Sequence, residues 1–375
     1  MNIAIMGAGL VGRLLAWRLH AHYSQAENAI SITLVDEKKR NHFGTGLVAA
    51  AMVAPYTEAV STEAITQVIG ERSFKLWPNW LNELEAATAK RVEFNQRGTL
   101  VVSHAQDDAS WQRFHLKAKA VVVVVEGNND DDSQMRVLDK PALKALEPEL
   151  ADNFAKALFF ADEGVINNPA LYPALEQVLM QADNITWLES ARCEAISASG
   201  TVNIAGESPE QFDHVFDCRG NGAKADLKQF RSVRGEVICV KAPEVNITRA
   251  VRLMHPRFPL YIAPRDNHEY VIGATQIESD ANTPVTVRSG LELLSALYSL
   301  HQGFGEAQIL GLHTGLRPTF INNLPRIEFD NKITRINGLY RHGYLFAPAL
   351  ISDVIAHLDN KNADIRFPQF MVTND

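Results

Sequence analysis

Short apolar runs separated by glycine and polar turns dominate the chain. The first, Asn2-Ile-Ala-Ile-Met6, reads as a strand that stops at a glycine turn. A 3.6-residue apolar periodicity then predicts a helix from Leu10 to Tyr23, and a second strand follows over Ile30–Asp36. Strand, turn, helix and strand in that order open a βαβ unit. Small residues fill Leu47 to Ala54 up to Pro55, and helices are expected over 61–89. Strands are expected at 98–103 and 120–126, the second because Val121 to Val125 is a β-branched run too short to span a membrane. A short helix at 141–150 and strands over 157–166 come next. Asn168-Pro169 then opens a helix at 168–182. The pattern turns β-rich over 232–277, and helices return at 285–302 and 349–358. Strand-turn-helix units recur at 212–229 and 333–358. These point to one nucleotide-binding sheet assembled from distant segments, with a β-rich part inserted between them. The predicted class is therefore α/β (α+β): a discontinuous Rossmann-like domain over 1–88, 140–228 and 310–375, and a substrate domain over 89–139 and 229–309.

Composition narrows the function. With 44 acidic against 36 basic residues the net charge is -8, and no basic cluster offsets it, which argues against nucleic acid as partner. The run Asp130 to Asp132 reads as a solvated loop, and no cysteine or histidine spacing suggests a metal. Cys193, Cys218 and Cys239 read as reduced thiols. The N-terminal apolar run lacks a basic leader and is broken by glycines, so a cytoplasmic protein with no membrane segment is expected.

Gly7-Ala8-Gly9-Leu10-Val11-Gly12 carries the first chemistry. Its glycines permit a tight turn, a close backbone approach to a pyrophosphate, and close packing of helix on strand. The helix N-terminus faces the phosphates. Asp36, with Glu37 after it, ends the second strand where a carboxylate reaches ribose hydroxyls. This fits NAD or FAD. Later segments that return to the same sheet favour FAD, which is wrapped along its length.

Further segments extend the pattern: Ala49-Ala50-Ala51-Met52 with Pro55 and Glu58; Glu163 to Pro169; Asp217-Cys218-Arg219-Gly220; Val233-Arg234-Gly235-Glu236; Tyr261 to Arg265; Ile272 to Thr275; Gly315-Leu316-Arg317-Pro318; and Tyr340 to Pro348. In order and spacing they resemble the D-amino acid oxidase family of flavoproteins, nearest its glycine oxidase branch, the ThiO-type enzymes of thiamine synthesis. The resemblance spans nearly the whole chain. It implies non-covalent FAD, since no cysteine stands beside Gly315 to Pro318. It also implies oxidation of a small amino acid with dioxygen as acceptor, by a chain that can form homo-oligomers.

The resemblance assigns roles residue by residue. Ala50, Ala51 and Met52 would run beside the flavin, with Met52 bordering the substrate. Arg219 and Gly220 would form a cofactor-contacting turn, and Arg192 would reach the adenine through its backbone. Arg341, His342, Gly343, Tyr344 and Leu345 would meet the flavin's pyrimidine side. Arg317 would grip the substrate carboxylate bidentately, and Tyr261 would donate a hydrogen bond to it. Arg341 would support them. Gln276 and His342 depart from the family's usual residues and put the substrate's identity in question. A tRNA-modifying oxidase, an oxidase of a partner protein and a flavin binder without turnover are the alternative functions.

Overall fold

A computed structural model describes residues 1–24, 30–41, 44–126, 134–254 and 260–373. The opening βαβ unit forms as expected: β1 is Asn2–Met6, α1 is Leu10–Tyr23 and β2 is Ser31–Val35. β1 is an interior strand of a seven-stranded sheet. It pairs in parallel with β2 on one side and with His214–Asp217 on the other. Ile185–Leu188 extends the sheet beyond β2. Ile333–Asn337, Arg326–Asp330 and Met371–Thr373 extend it beyond His214–Asp217. Side chains alternate across a strand. Ile3 and Ile5 accordingly enter a core with α1 and the helices Ile65–Thr88, Asn168–Gln181 and Gly343–Leu358. Ala4 and Met6 face the opposite side, onto Val202, Ile204 and Phe212.

A nine-stranded sheet forms the second layer. The long strand Phe230–Lys241 lies between Glu269–Gly273 on one side and Gln308–Phe320 on the other. Alternation again divides its faces. Ile238, Val240, Leu260 and Ile262 pack on the helix Val287–Leu300. Val237, Ala250, Ala263 and Val271 face Val48, Ala50 and Met52. The second face, turned to the small-residue segment, carries the candidate site. Strands Lys156–Phe160 and Gln308–Phe320 hydrogen-bond in this sheet. The boundaries expected at 140 and 310 therefore cut through it.

Three expectations need correction. Val121 to Val125 is not a strand, because the helix Asp108–Glu126 runs through it. Trp111, Phe114, Ala118 and Val122 recur at helical spacing and bury against Tyr56 and Phe160. That burial outweighs the few tenths of a kcal/mol by which each valine disfavours a helix. The last helix starts at Gly343, not 349, and contains Pro348. Proline cannot donate to the carbonyl four residues back, Tyr344. Trp77 Nε1 supplies that bond instead, at 2.9 Å. After His214–Asp217 the expected helix is only 3-10 turns over Gly220–Asp226, where Arg219 is tied to Asp217 and Asp226. Asp130 to Asp132 lies outside the described residues.

Candidate functional site

The glycine turn is built for close approach. Gly7 has φ +97°, and a Cβ there would stand 2.6 Å from the Cys218 carbonyl oxygen. A Cβ on Gly12 would overlap the Gly7 carbonyl. Only glycine fits either position. At Gly9 nothing stands within 4 Å of where a Cβ would be, so the turn is open on the side a pyrophosphate would take. Asp36 Oδ2 accepts from the Ala8 amide at 2.6 Å, and Oδ1 accepts from Lys38 at 2.8 Å. Each oxygen keeps acceptor capacity for a ribose hydroxyl. Glu37 follows, exposed, on the same turn.

Two helix N-termini converge here. Gly343 opens the last helix, and Leu10, first residue of α1, lies 3.4 Å from where its Cβ would stand. The amides of Gly343, Tyr344 and Leu345 have no intrahelical acceptor and carry the positive end of the helix dipole. The segment leading to Met52 is held from below. Asn168 Nδ2 lies 3.0, 2.8 and 3.0 Å from the carbonyl oxygens of Gly46, Leu47 and Ala49. Arg265 Nη2 donates to Ala50 O at 2.6 Å and to Asn168 Oδ1 at 2.9 Å. Ala51 sits at φ 56° in the left-handed region, which turns the chain into the short strand Met52–Val53. Met52 is half-buried against the sheet face that holds Val237 and Ala263.

The charged residues meet at Glu58, which is 5% exposed. Its Oε2 accepts from Arg341 at 2.7 Å and from His342 Nε2 at 2.8 Å, and its Oε1 accepts the Tyr261 phenol at 2.6 Å. Burial alone would raise the carboxyl's pKa. Arg341, the His342 bond and the nearby Arg252 outweigh burial and hold it well below the usual carboxylate range. Arg252 donates to Thr57 O at 2.6 Å, to the Tyr261 oxygen at 3.2 Å and to Ser61 Oγ at 2.8 Å. Behind them, Glu163 accepts from the Thr57 amide at 2.6 Å and from its hydroxyl at 2.9 Å. Complete burial, helped by the Glu58 charge, pushes Glu163 up to about 7. Burial also lowers the His342 pKa against the pull of Glu58, so this ring tends to neutrality.

Arg317 differs from Arg341, which is paired with Glu58. Arg317 is 9% exposed, its Nη1 donates to Thr275 O at 3.0 Å, and among the described residues it has no ion pair. Burial, with Arg341 close by, lowers its pKa to about 10. Gly235 on the adjacent strand makes room for it. A Cβ there would stand 2.5 Å from the guanidinium carbon. A lock of Arg234, Glu236 and Thr275 fixes the other end. Arg234 Nε donates to Glu236 at 3.1 Å, and Thr275 Oγ1 accepts from the Glu236 amide at 2.9 Å.

Tyr261, Arg317, Arg341 and His342 are thus brought together, and Met52 lines the same sheet face. Two of the expected cofactor contacts have partners of their own in the fold. The Arg219 guanidinium is spent on Asp217 and Asp226, so only the backbone of the Arg219-Gly220 turn, packed on Gly7, is free to face a cofactor. The Arg192 carbonyl already accepts from Ala205 at 2.9 Å. Glu58, Arg252, Glu163, Asn168 and Arg265 carry site roles that the sequence reading did not assign. The signal for Arg252 was a charge inside the apolar run Ala250 to Met254, which must find partners when buried. A cavity of about 370 Å³ is lined in part by Glu93, Asn167, Arg265 and Asp266, and includes none of Glu58, Tyr261, Arg317 or Arg341. Among the described residues no cluster of three metal-ligating side chains occurs, and no helix is long and apolar enough to cross a membrane.

A glycine turn on a parallel sheet, joined to a β-rich layer whose face carries a buried free guanidinium, defines a two-layer flavoprotein oxidoreductase. The chain belongs to the FAD-dependent oxidoreductase family that includes D-amino acid oxidase: a family model described as FAD dependent oxidoreductase matches residues 2–358. A protein of Rhizobium etli, named as a candidate thiamine biosynthesis oxidoreductase ThiO, is 36% identical over 358 residues, covering 96% of each chain. The fold is similar to that of glycine oxidase from Geobacillus kaustophilus, with a TM-score of 0.83 at 20% identity over 100% of this chain and 98% of that one. It is also similar to iminodiacetate oxidase from a Chelativorans species, with a TM-score of 0.81 at 18% identity over 99% of both chains. FAD is therefore the cofactor, and the open turn at Gly9 and the Asp36 carboxylate fit its ADP half.

Proposed function

We propose that this protein oxidises a small amino acid, glycine first among candidates, to its imine. Water then hydrolyses the imine to the oxo acid and ammonia. The supporting observation is Arg317: a buried guanidinium on the flavin-facing sheet, without an ion pair among the described residues and held in place by Gly235 and Thr275. A carboxylate binds such a group through two parallel hydrogen bonds and supplies the missing counter-charge. Bound FAD supplies the two-electron acceptor, and dioxygen is the terminal oxidant, giving hydrogen peroxide. Gly7 to Gly12, the Asp36 carboxylate and the first turn of the Gly343 helix would hold it.

The protein's part in the reaction is orientation. Arg317 would fix the carboxylate end of the substrate, and Tyr261 and Arg341 would border the amino end. Met52 would close the apolar side, leaving room for a small side chain only. The kinship with the Rhizobium protein supports a role in thiamine biosynthesis, and the likeness to a glycine oxidase favours glycine; sarcosine and small D-amino acids carry the same carboxylate for Arg317 and belong to the candidates.

The test is an anaerobic panel of amino acids, read as loss of flavin absorbance. Glycine is expected to bleach the wild-type flavin. Arg317→Ala is expected to weaken its apparent affinity by about 10²-fold, the scale of a lost charge-assisted pair. Failure of every amino acid to bleach the wild type, or an unchanged affinity in Arg317→Ala, refutes the proposal.

A further inference from the structure

One face of the molecule is apolar and open, although neither the cofactor turn nor the substrate cluster uses it. The helix Val287–Leu300 carries two apolar stripes. Leu293, Leu297 and Leu300 face Ile238, Val240 and Ile262 of the nine-stranded sheet. Val287, Leu291 and Tyr298 recur at helical spacing on a line away from that core, Val287 at 81% and Leu291 at 62% exposure. Beside the helix runs the start of the strand Gln308–Phe320. Among the described residues it pairs only with Phe230–Lys241, so it forms an edge of the sheet. Its Ile309 and Leu312 stand opposite Val240 and Ile238, hence on the face the helix covers. Each is nevertheless about half exposed, as are Leu310 and Tyr298. Helix and strand adjoin at both ends. The Tyr298 ring lies 3.0 Å from where a Cβ on Gly305 would stand, in the turn that leads into the strand. Arg234 Nη2 reaches Pro284 O at 2.7 Å, just before the helix, and Thr314 Oγ1 at 3.4 Å, on the strand.

The area and the charge of this face bear on what covers it. Together these side chains expose roughly 600 Å², the upper end of what a soluble monomer leaves as one apolar patch and most of the ~800 Å² that each partner gives to a stable interface. No Lys, Arg, Asp, Glu or Pro stands between Glu306 and Arg317. An edge strand that stays in solvent is normally blunted by such residues. On the helix only Arg288 and Glu292 are charged, and at i and i+4 they sit together on one flank of the exposed stripe. Two copies of a chain with net charge -8 repel one another, and a twofold contact brings residues near their own counterparts. Like charges stay apart only if the copies meet on an uncharged face. A nucleic acid or a lipid surface would call for Lys or Arg, and outside the site these two elements offer only Arg288.

We propose that this face is the contact between two copies of the chain related by a twofold axis. The exposed stripe of Val287–Leu300 and the edge strand of each copy are buried on the same two elements of the other. The strand so covered also carries Gly315 and Arg317, so the contact braces the segment that leads into the substrate site. It is independent of which amine that site oxidises.

The test is the mass of the FAD-loaded protein in sedimentation velocity over about 0.1–100 µM, where an interface of this size assembles. The wild type is expected at twice the mass of one chain, or at four times if a second contact exists. Leu291→Glu and Leu312→Glu each put a charge into the contact once per copy. Each is expected to halve the assembly, with a dissociation constant raised at least about 10²-fold. Both positions are open to solvent, so flavin spectrum and thermal midpoint should stay at wild-type values, which separates loss of the contact from loss of the fold. Leu116→Glu is the control: Leu116 is also exposed, on the helix Asp108–Glu126, and its substitution is expected to leave the assembly whole. A wild type that stays monomeric throughout the range overturns the proposal and leaves the face to another partner or to none. An assembly that survives either glutamate in a folded, yellow protein also overturns it, as does one that Leu116→Glu breaks as readily, because the contact then lies elsewhere. None of these results bears on whether glycine bleaches the flavin.

Discussion

Gly235→Ala separates the grip on the substrate from the integrity of the fold. Gly235 lies inside the strand Phe230–Lys241, directly opposite Gly315 and two residues from the pair Val233–Arg317. An added Cβ would stand 2.5 Å from Cζ of Arg317, 2.8 Å from Nη1 and nearer still to Nη2. Carbon and nitrogen that do not bond need about 3.5 Å, so the guanidinium must shift by roughly 1 Å. What moves is the far end of a flexible side chain, not backbone, and the glycine has no positive φ to strain. The fold should lose about 1 kcal/mol or less, chiefly the Arg317–Thr275 bond. The substrate's carboxylate would lose its bidentate partner, and a displacement of about 1 Å costs on the order of 10²-fold in a site that works by orientation. The expected result is a KM for glycine raised by that factor in steady-state peroxide assays, with FAD content and thermal midpoint near wild type. If KM is unchanged, Arg317 does not lie where the substrate binds. If FAD is lost or the protein unfolds, the packing account of Gly235 is wrong.

Other substitutions probe the supports. Glu163 keeps its proton up to about pH 7 when folded but only to about 4.5 when unfolded, so unfolding releases a proton between those values and stability falls as pH rises through that window. The loss comes to roughly 3 kcal/mol. Glu163→Gln, measured by urea denaturation from pH 5 to 8, should flatten that slope; an unchanged slope shows that Glu163 is not the titrating group. Asn168→Ala leaves the carbonyls of Gly46, Leu47 and Ala49 without their donor. It should weaken FAD retention on desalting by about tenfold, and full retention would show that this segment does not shape the cofactor site. Gly12→Ala should yield colourless protein, because α1 can no longer close on the Gly7 turn; a yellow, FAD-replete variant contradicts that packing.

What could be read from the sequence was local or periodic. Gly7 to Gly12 declares itself because strand, turn and helix are adjacent, and Gly7 and Gly12 answer contacts made with the next strand and within a few residues. The site face of the second sheet was legible too: alternation along Tyr261-Ile-Ala-Pro264 puts Tyr261 and Ala263 on one side and Ile262 on the other. Two local rules misled. Valine's strand preference at 121–125 lost to the buried stripe from Trp111 to Val122, and Pro348 failed to end a helix because Trp77, far away in sequence, replaces the missing donor. Glu58 was hidden for the same reason. Its partners come from the strand Leu260–Pro264 and from the start of the last helix, and a lone acid in a segment of small residues names none of them.

The electrostatics of the site explain why so acidic a chain can attract an anion. Arg252, Arg317 and Arg341 surround one ionised carboxylate, Glu58, while the second buried acid, Glu163, stays protonated up to about pH 7. Positive charge is therefore in excess where the substrate would sit, despite a net charge of -8 on the whole chain. Arg341 is paired with Glu58, and Arg252 keeps its charge but gives its N–H groups to Thr57, Ser61 and Tyr261, which leaves Arg317 as the cation of the three with N–H groups to offer an anion. Burial, with Arg341 close by, lowers the Arg317 pKa, the direction expected of a charge held away from water. A carboxylate relieves the cost on arrival, whereas a plain amine adds a like charge to it. The arrangement selects for amino acids over simple amines before any contact with the flavin is made. Methylamine, glycine stripped of its carboxylate, should accordingly reduce the flavin at least 10²-fold less efficiently than glycine in the wild type. That gap should collapse in Arg317→Ala, and a gap of the same size in the variant would place the discriminating charge elsewhere.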